Sequence, residues 1–149
     1  MFQGNPDVFD IDGYLATTRE ILWLVRQHVT RVAVGDIVYL YRCKGHTGKD
    51  GGLVARGIVV DSARVTPDDD GSTRFWLDES HALKPEMRAR IRLESVADGT
   101  GALSRTALLN TPMGRQLPNL PNGQGTNFLL PDDVAGWLDI LWSQHVPRS

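Results

Sequence analysis

Short runs of β-branched and aromatic residues, separated by turn-forming clusters, fill the first two thirds of the chain. Ile21-Leu-Trp-Leu-Val-Arg26 lies between polar residues and reads as a buried strand. Val34-Gly-Asp-Ile-Val-Tyr-Leu-Tyr-Arg-Cys43 opens on a Gly-Asp turn and then alternates. Ile37, Tyr39 and Tyr41 share one face, and Val38, Leu40 and Arg42 share the other. The loop 44–52 holds four glycines and must turn the chain back into a third strand, 53–60, where Gly57 marks a bulge or a close backbone approach. Beyond the polar turn 66–72, residues 73–77 and 87–93 predict two more strands.

The remaining elements are helical or irregular. Asn5-Pro6 breaks the chain before an acidic, partly apolar stretch that suits one or two helical turns strapped over a core. A short helix is expected over 103–110, and the Pro-, Gly- and Asn-dense stretch 111–125 reads as a long exposed loop. Near the end, Val134, Trp137, Leu138, Leu141 and Trp142 recur at helical spacing, behind a start formed by Pro131, Asp132 and Asp133. Strands at short spacing with little helix between them predict one α+β domain over 1–149. A barrel of five strands with the C-terminal helix packed on it is expected.

Composition narrows the function classes. With 41% hydrophobic and 23% charged residues the chain is an ordinary globular protein, and at 149 residues it can bury a core without disulfides or a structural metal. A formal net charge of −2 supplies no overall positive field, so any nucleic-acid contact must come from a local patch. The single cysteine, Cys43, excludes an intramolecular disulfide and a cysteine-rich zinc site, and fits a cytoplasmic setting. No run approaches the roughly 18 consecutive apolar residues of a membrane span.

Catalytic signatures do not emerge. His28, His46, His81 and His145 are scattered, Cys43 has no base beside it in sequence, and Asp68, Asp69 and Asp70 sit in a turn that reads as solvated. No catalytic residue, metal or cofactor is assigned, and a non-enzymatic role is favoured. Two features point to binding instead. Arg88, Arg90 and Arg92 alternate with Ala89, Ile91 and Leu93, which is either a solvated strand face or a row of guanidinium groups for phosphates, joined by Arg115. The aromatic side chains of Trp23, Tyr39, Tyr41, Trp76, Trp137 and Trp142 are the second. Helical spacing assigns Trp137 and Trp142 to the core, while Trp23 and Tyr41 are the candidates for a wall that stacks a base.

Asn5-Pro6, then Ile21-Leu-Trp-Leu-Val-Arg-Gln27, then Val34-Gly-Asp-Ile-Val-Tyr-Leu-Tyr41, then Gly52-Leu-Val-Ala-Arg-Gly-Ile58, and finally Gly125-Thr-Asn-Phe-Leu-Leu130 before a helix, together resemble the EVE domain of the PUA-like superfamily. The resemblance spans nearly the whole chain. It implies a PUA-like pseudo-β-barrel of about five to six strands, flanked by short helices and a C-terminal helix, whose pocket takes a modified base of DNA or RNA, as in the related YTH domain. Asn5, Trp23, Gln27 and Tyr41 would border that pocket, and Ser104, Arg105, Thr126 and Asn127 would close it. The same superfamily offers an alternative, a small-molecule-binding or hydrolytic domain of the ASCH type using the same cavity. A third reading is a protein-interaction module built on the apolar loop 117–121. A monomer or weak oligomer with no membrane partner completes the expectation.

Overall fold

The alternation read in residues 37–42 organises two layers of packing. In the computed structural model, which describes residues 1–46, 48–120 and 125–147, Val38 and Leu40 point into one hydrophobic cluster and Tyr39 and Tyr41 into another. The elements that carry these layers are β1 (Phe2–Gly4), α1 (Ile11–Thr17), β2 (Glu20–Leu24), β3 (Ile37–Arg42) and β4 (Gly52–Thr66). They are followed by α2 (Ser80–Leu83), β5 (Glu86–Val96), α3 (Arg105–Leu109) and α4 (Asp132–His145). The strands form a curled half-barrel sheet in the order β1-β3-β4-β5-β2, with β1 parallel to β3 and the other pairs antiparallel.

Inside the curl lie Phe2, Ile21, Trp23, Leu40, Val54, Ala55, Ala89 and Ile91, with Ile11 and Tyr14 of α1 covering one end. Outside it, α4 lays Val134, Leu138 and Trp142 over Tyr39 and Leu53. The Trp142 indole donates to Ser95 Oγ at 2.8 Å, so a buried aromatic keeps its polar atom satisfied. Register slips by one residue between Leu40 and Tyr41, which leaves Val54 as an extra residue on β4. Both Val54 and Ala55 therefore join the inner cluster while Leu53 joins the outer one. At Gly57 the register also shifts, and a Cβ there would stand 2.6 Å from the Arg92 carbonyl oxygen.

Three expectations change. Residues 73–77 are not a strand. A 3-10 turn over Asp70–Phe75 meets the main-chain demand locally, through Ser72 N to Asp69 O and Trp76 N to Thr73 O, so no ladder forms beyond the single bridge Phe9–Trp76. The fifth strand is β1, three residues long and too short for a periodic signal. The stretch 111–125 is not a uniformly exposed loop, because Leu117, Asn119 and Leu120 are buried under the outer layer. That removes the exposed apolar surface on which an interaction module at 117–120 would depend, and Pro121 lies outside the described residues. No helix among the described residues is long and apolar enough to cross a membrane.

The two outermost strands, β1 and β2, approach each other without pairing. A Cβ on Gly4 would fall 2.9 Å from the Trp23 ring and 2.7 Å from Ile11, so this contact exists only because position 4 has no side chain. One end of the gap is stitched by residues 125–128. Gln3 N donates to Thr126 O at 3.0 Å and Phe128 N to Met1 O at 2.8 Å. Asn127, 3% exposed, accepts from the amides of Arg26 at 3.2 Å and Gln27 at 3.0 Å, and its own amide donates to the Gln27 carbonyl.

Asn127→Ala leaves those main-chain groups unpaired and is expected to cost about 1–3 kcal/mol in urea unfolding. Asn127→Asp, which keeps the acceptor, should cost less; equal losses for the two would contradict the clasp.

Candidate functional site

Where the stitch of residues 125–128 ends, the gap between β1 and β2 stays open as a cleft of about 550 Å³. Three aromatic side chains wall it: Trp23 from β2, Phe9 from the strap after β1, and Trp76 beyond the 3-10 turn. Main-chain bonds bring the last two together, with Asp10 N donating to Phe75 O at 2.7 Å and Leu77 N to Val8 O at 3.1 Å. Phe9 then meets Trp76 edge-on at 4.8 Å and Trp23 at 6.4 Å, and Trp76 meets the His81 ring at 5.7 Å. The Trp76 indole donates to Asp68 Oδ2 at 3.0 Å, which fixes the plane of the ring.

One wall is main chain. Val25 N donates to Met87 O and Leu93 N to Arg19 O, so by antiparallel alternation the odd positions of β2 pair with β5 and the even ones face the gap. Arg26 N, on the gap side, is taken by Thr126 and Asn127. Leu24, one step back, presents an N–H and a C=O to the cleft with no partner among the described residues. A residue's own amide and carbonyl on one strand edge form a donor–acceptor pair suited to the edge of a flat heterocycle.

Charged groups surround this centre. Arg88 is 1% exposed and lines the cleft, donating to the carbonyls of Thr66 at 2.6 Å, Lys84 at 3.0 Å and His81 at 3.1 Å. Its guanidinium thereby anchors α2 to the end of β4. Burial pushes the Cys43 thiol up, and it pushes the Tyr14 phenol up further, with Asp68 and Asp69 adding to that effect and the Leu22 amide opposing it. At the rim, Asp7 is held below the usual carboxylate range, chiefly by the His46 main-chain amide against a small burial effect, and its carboxylate also meets the His46 ring at 2.6 Å. Among the described residues no three His, Cys, Asp or Glu side chains gather as a metal site.

The expected pocket residues divide. Asn5, Trp23 and Thr126 line the cleft, and Trp23 is at once a core residue, 8% exposed, and a wall. Gln27 and Asn127 stand beside it, but the Asn127 amide is fully engaged in the clasp and Gln27 contributes main chain to it. Tyr41, Ser104 and Arg105 do not reach the cleft. Tyr41 belongs to the outer layer by the parity of β3, Ser104 caps α3 by accepting from Ala107 N, and Arg105 donates to Leu120 O at 3.4 Å.

The arginine row on β5 is not a continuous exposed stripe. Arg88 is buried, Arg90 forks onto Asp69 with two bonds of 3.1 Å, and of the three only Arg92 is exposed. Arg115 donates to Leu109 O at 3.3 Å and lies outside the cleft. Sequence reasoning missed Phe9, Asp68, Trp76 and the Leu24 main chain. Trp76 carried a signal as an aromatic next to a turn; the others depend on pairings that no local pattern announces.

No family model matches the chain, and no curated relative does. Solved structures of similar fold include a Pseudomonas putida protein from a structural genomics effort, with a TM-score of 0.62 and 16% identity over 95% of this chain and 97% of that one. A Pseudomonas syringae protein from the same effort gives 0.59 and 19% over 94% and 97%. A hypothetical protein from Leishmania major gives 0.62 and 19% over 96% and 93%. At such identities the likeness concerns the fold.

Arg88→Met removes three bonds to carbonyls while keeping most of the volume. Hydrogen exchange of 80–84 is expected to accelerate far more than that of β3 or β4, and uniform acceleration would show that Arg88 supports the whole core instead.

Proposed function

We propose that the cleft receives one flat heterocycle, a modified base turned out of a DNA or RNA strand, and that the protein binds this base without transforming it. The observation that carries the reading is the pairing of aromatic walls with a strand edge that is unpaired among the described residues. Phe9, Trp23 and Trp76 offer apolar ring surface, and Leu24 offers one donor and one acceptor side by side. The volume, about 550 Å³, lies within the span of roughly 300–1,000 Å³ common for small-ligand sites. Stacking supplies affinity for any base, whereas the main-chain pair and the walls select among bases. The preference for a modified base comes from the resemblance to the EVE domain, and the aromatic walls are compatible with it, since apolar ring surface rewards an added alkyl group.

Fluorescence anisotropy with modified and plain oligonucleotides, single- and double-stranded and at stated salt, tests this. Tighter binding of one modified strand is expected, and Trp76→Ala should lose the stacking contribution of about 1–3 kcal/mol and with it the discrimination. Alkylation of Cys43, which lines the cleft and is the only thiol, should slow when that strand is bound. Equal affinity for modified and plain strands in the unaltered protein would overturn the reading, and protection of Cys43 by free nucleosides alone would favour a small-molecule site.

A further inference from the structure

A ring seated in the cleft against Trp76 would leave its sugar and phosphate toward the mouth, where nearby cations can reach them. Two of the cations that line the cleft are already committed or constrained. The Arg88 guanidinium is buried against three carbonyls, and the Arg26 guanidinium lies 3.3 and 3.4 Å from the two oxygens of Glu86. Glu86 itself stands 3.9 Å from Arg88, so one carboxylate faces two guanidinium groups. Lys84 differs from both: it is exposed, lines the cleft, and its ammonium makes no ion pair among the described residues.

We propose that Lys84 and Arg26 form the anion-holding lip of this cleft, taking the phosphate next to the bound ring, with Glu86 as the carboxylate that holds Arg26 until the phosphate replaces it. The proposal rests on the base-binding reading for what fills the cleft, but it concerns different residues and a different group of the ligand. The exchange at Arg26 is inexpensive, because its side chain is 56% exposed and an exposed ion pair contributes little. A phosphodiester offers two non-bridging oxygens that the same guanidinium fork can take. Lys84 adds a point charge whose carrier, the turn after α2, is fixed by Arg88 through the Lys84 carbonyl. The arginine row of β5 is thereby replaced as the phosphate contact by residues from two other places in the chain, the end of β2 and the end of α2.

The test uses the full chain and a short fluorescein-labelled DNA single strand, its RNA counterpart and a nucleoside 5′-monophosphate. Lys84→Ala and Arg26→Ala should each weaken binding about 3–10-fold at low salt and each lower the slope of log affinity against log salt by about one. Glu86→Gln should tighten binding several-fold, since it frees Arg26 and removes a negative charge from the lip. Arg92→Ala and Arg115→Ala should change neither affinity nor slope. The same losses with the free monophosphate would support the lip and identify a nucleotide as the source of the phosphate. Unchanged binding in Lys84→Ala and Arg26→Ala, or a loss of slope in Arg92→Ala, would overturn the proposal. Failure of the base reading is separable: it would show as absent discrimination between modified and plain strands while the Lys84 and Arg26 effects persist.

Discussion

The close passage of β1 past β2, with Gly4 against the face of Trp23, is the constraint from which the rest of the molecule follows. A curled sheet must either close its edges or protect them, because an unpaired edge exposes a row of donors and acceptors. Here closure is partial. Residues 125–128 supply hydrogen bonds at one end, Asn127 acting as a substitute for a missing strand, and the other end remains open between aromatic walls. The same absence of pairing that leaves Leu24 without a main-chain partner among the described residues gives the cleft its polar wall.

Buried charge in this protein holds loops in place. Arg42, 4% exposed, reaches Asp12 at 2.8 Å and the carbonyls of Asp98 and Asp50 at 3.1 Å each, which draws α1 and two loops to one end of β3. Arg88 does the equivalent at the other end of the sheet for α2 and the end of β4. An arginine can do this because its five donors spread in a plane and satisfy several carbonyls at once, with a carboxylate beside the charge, Asp12 for Arg42 and Glu86 at 3.9 Å for Arg88. This explains why three arginines at alternating positions of one strand meet three environments. Chain from 66 to 84 folds over the Arg88 end, Asp69 and Glu20 reach Arg90, and Arg92 is left to solvent.

Several features were legible locally. The parity of β3 correctly sorted Val38 and Leu40 from Tyr39 and Tyr41, and the helical spacing of Val134, Leu138 and Trp142 correctly gave the buried face of α4. Gly57 was correctly marked as a place of bulge and close approach. Tyr41 shows the limit of that reading: parity says which residues share a face, but not whether that face borders a cleft or lies under a helix. Trp23 shows another, since a side chain can be core on one side and wall on the other.

By itself the sequence determined four of the five strands, the two faces of β3, the C-terminal helix and the α+β class, because period and turn chemistry are properties of neighbouring residues. The tertiary structure alone decided which strands became edges, where the gap between them stayed open, and which charged groups reached it. Gln3 meets Thr126, Arg26 meets Asn127 and Phe9 meets Trp76 across long stretches of chain. Such contacts are selected by how the whole sheet curls and packs, and no local pattern encodes them.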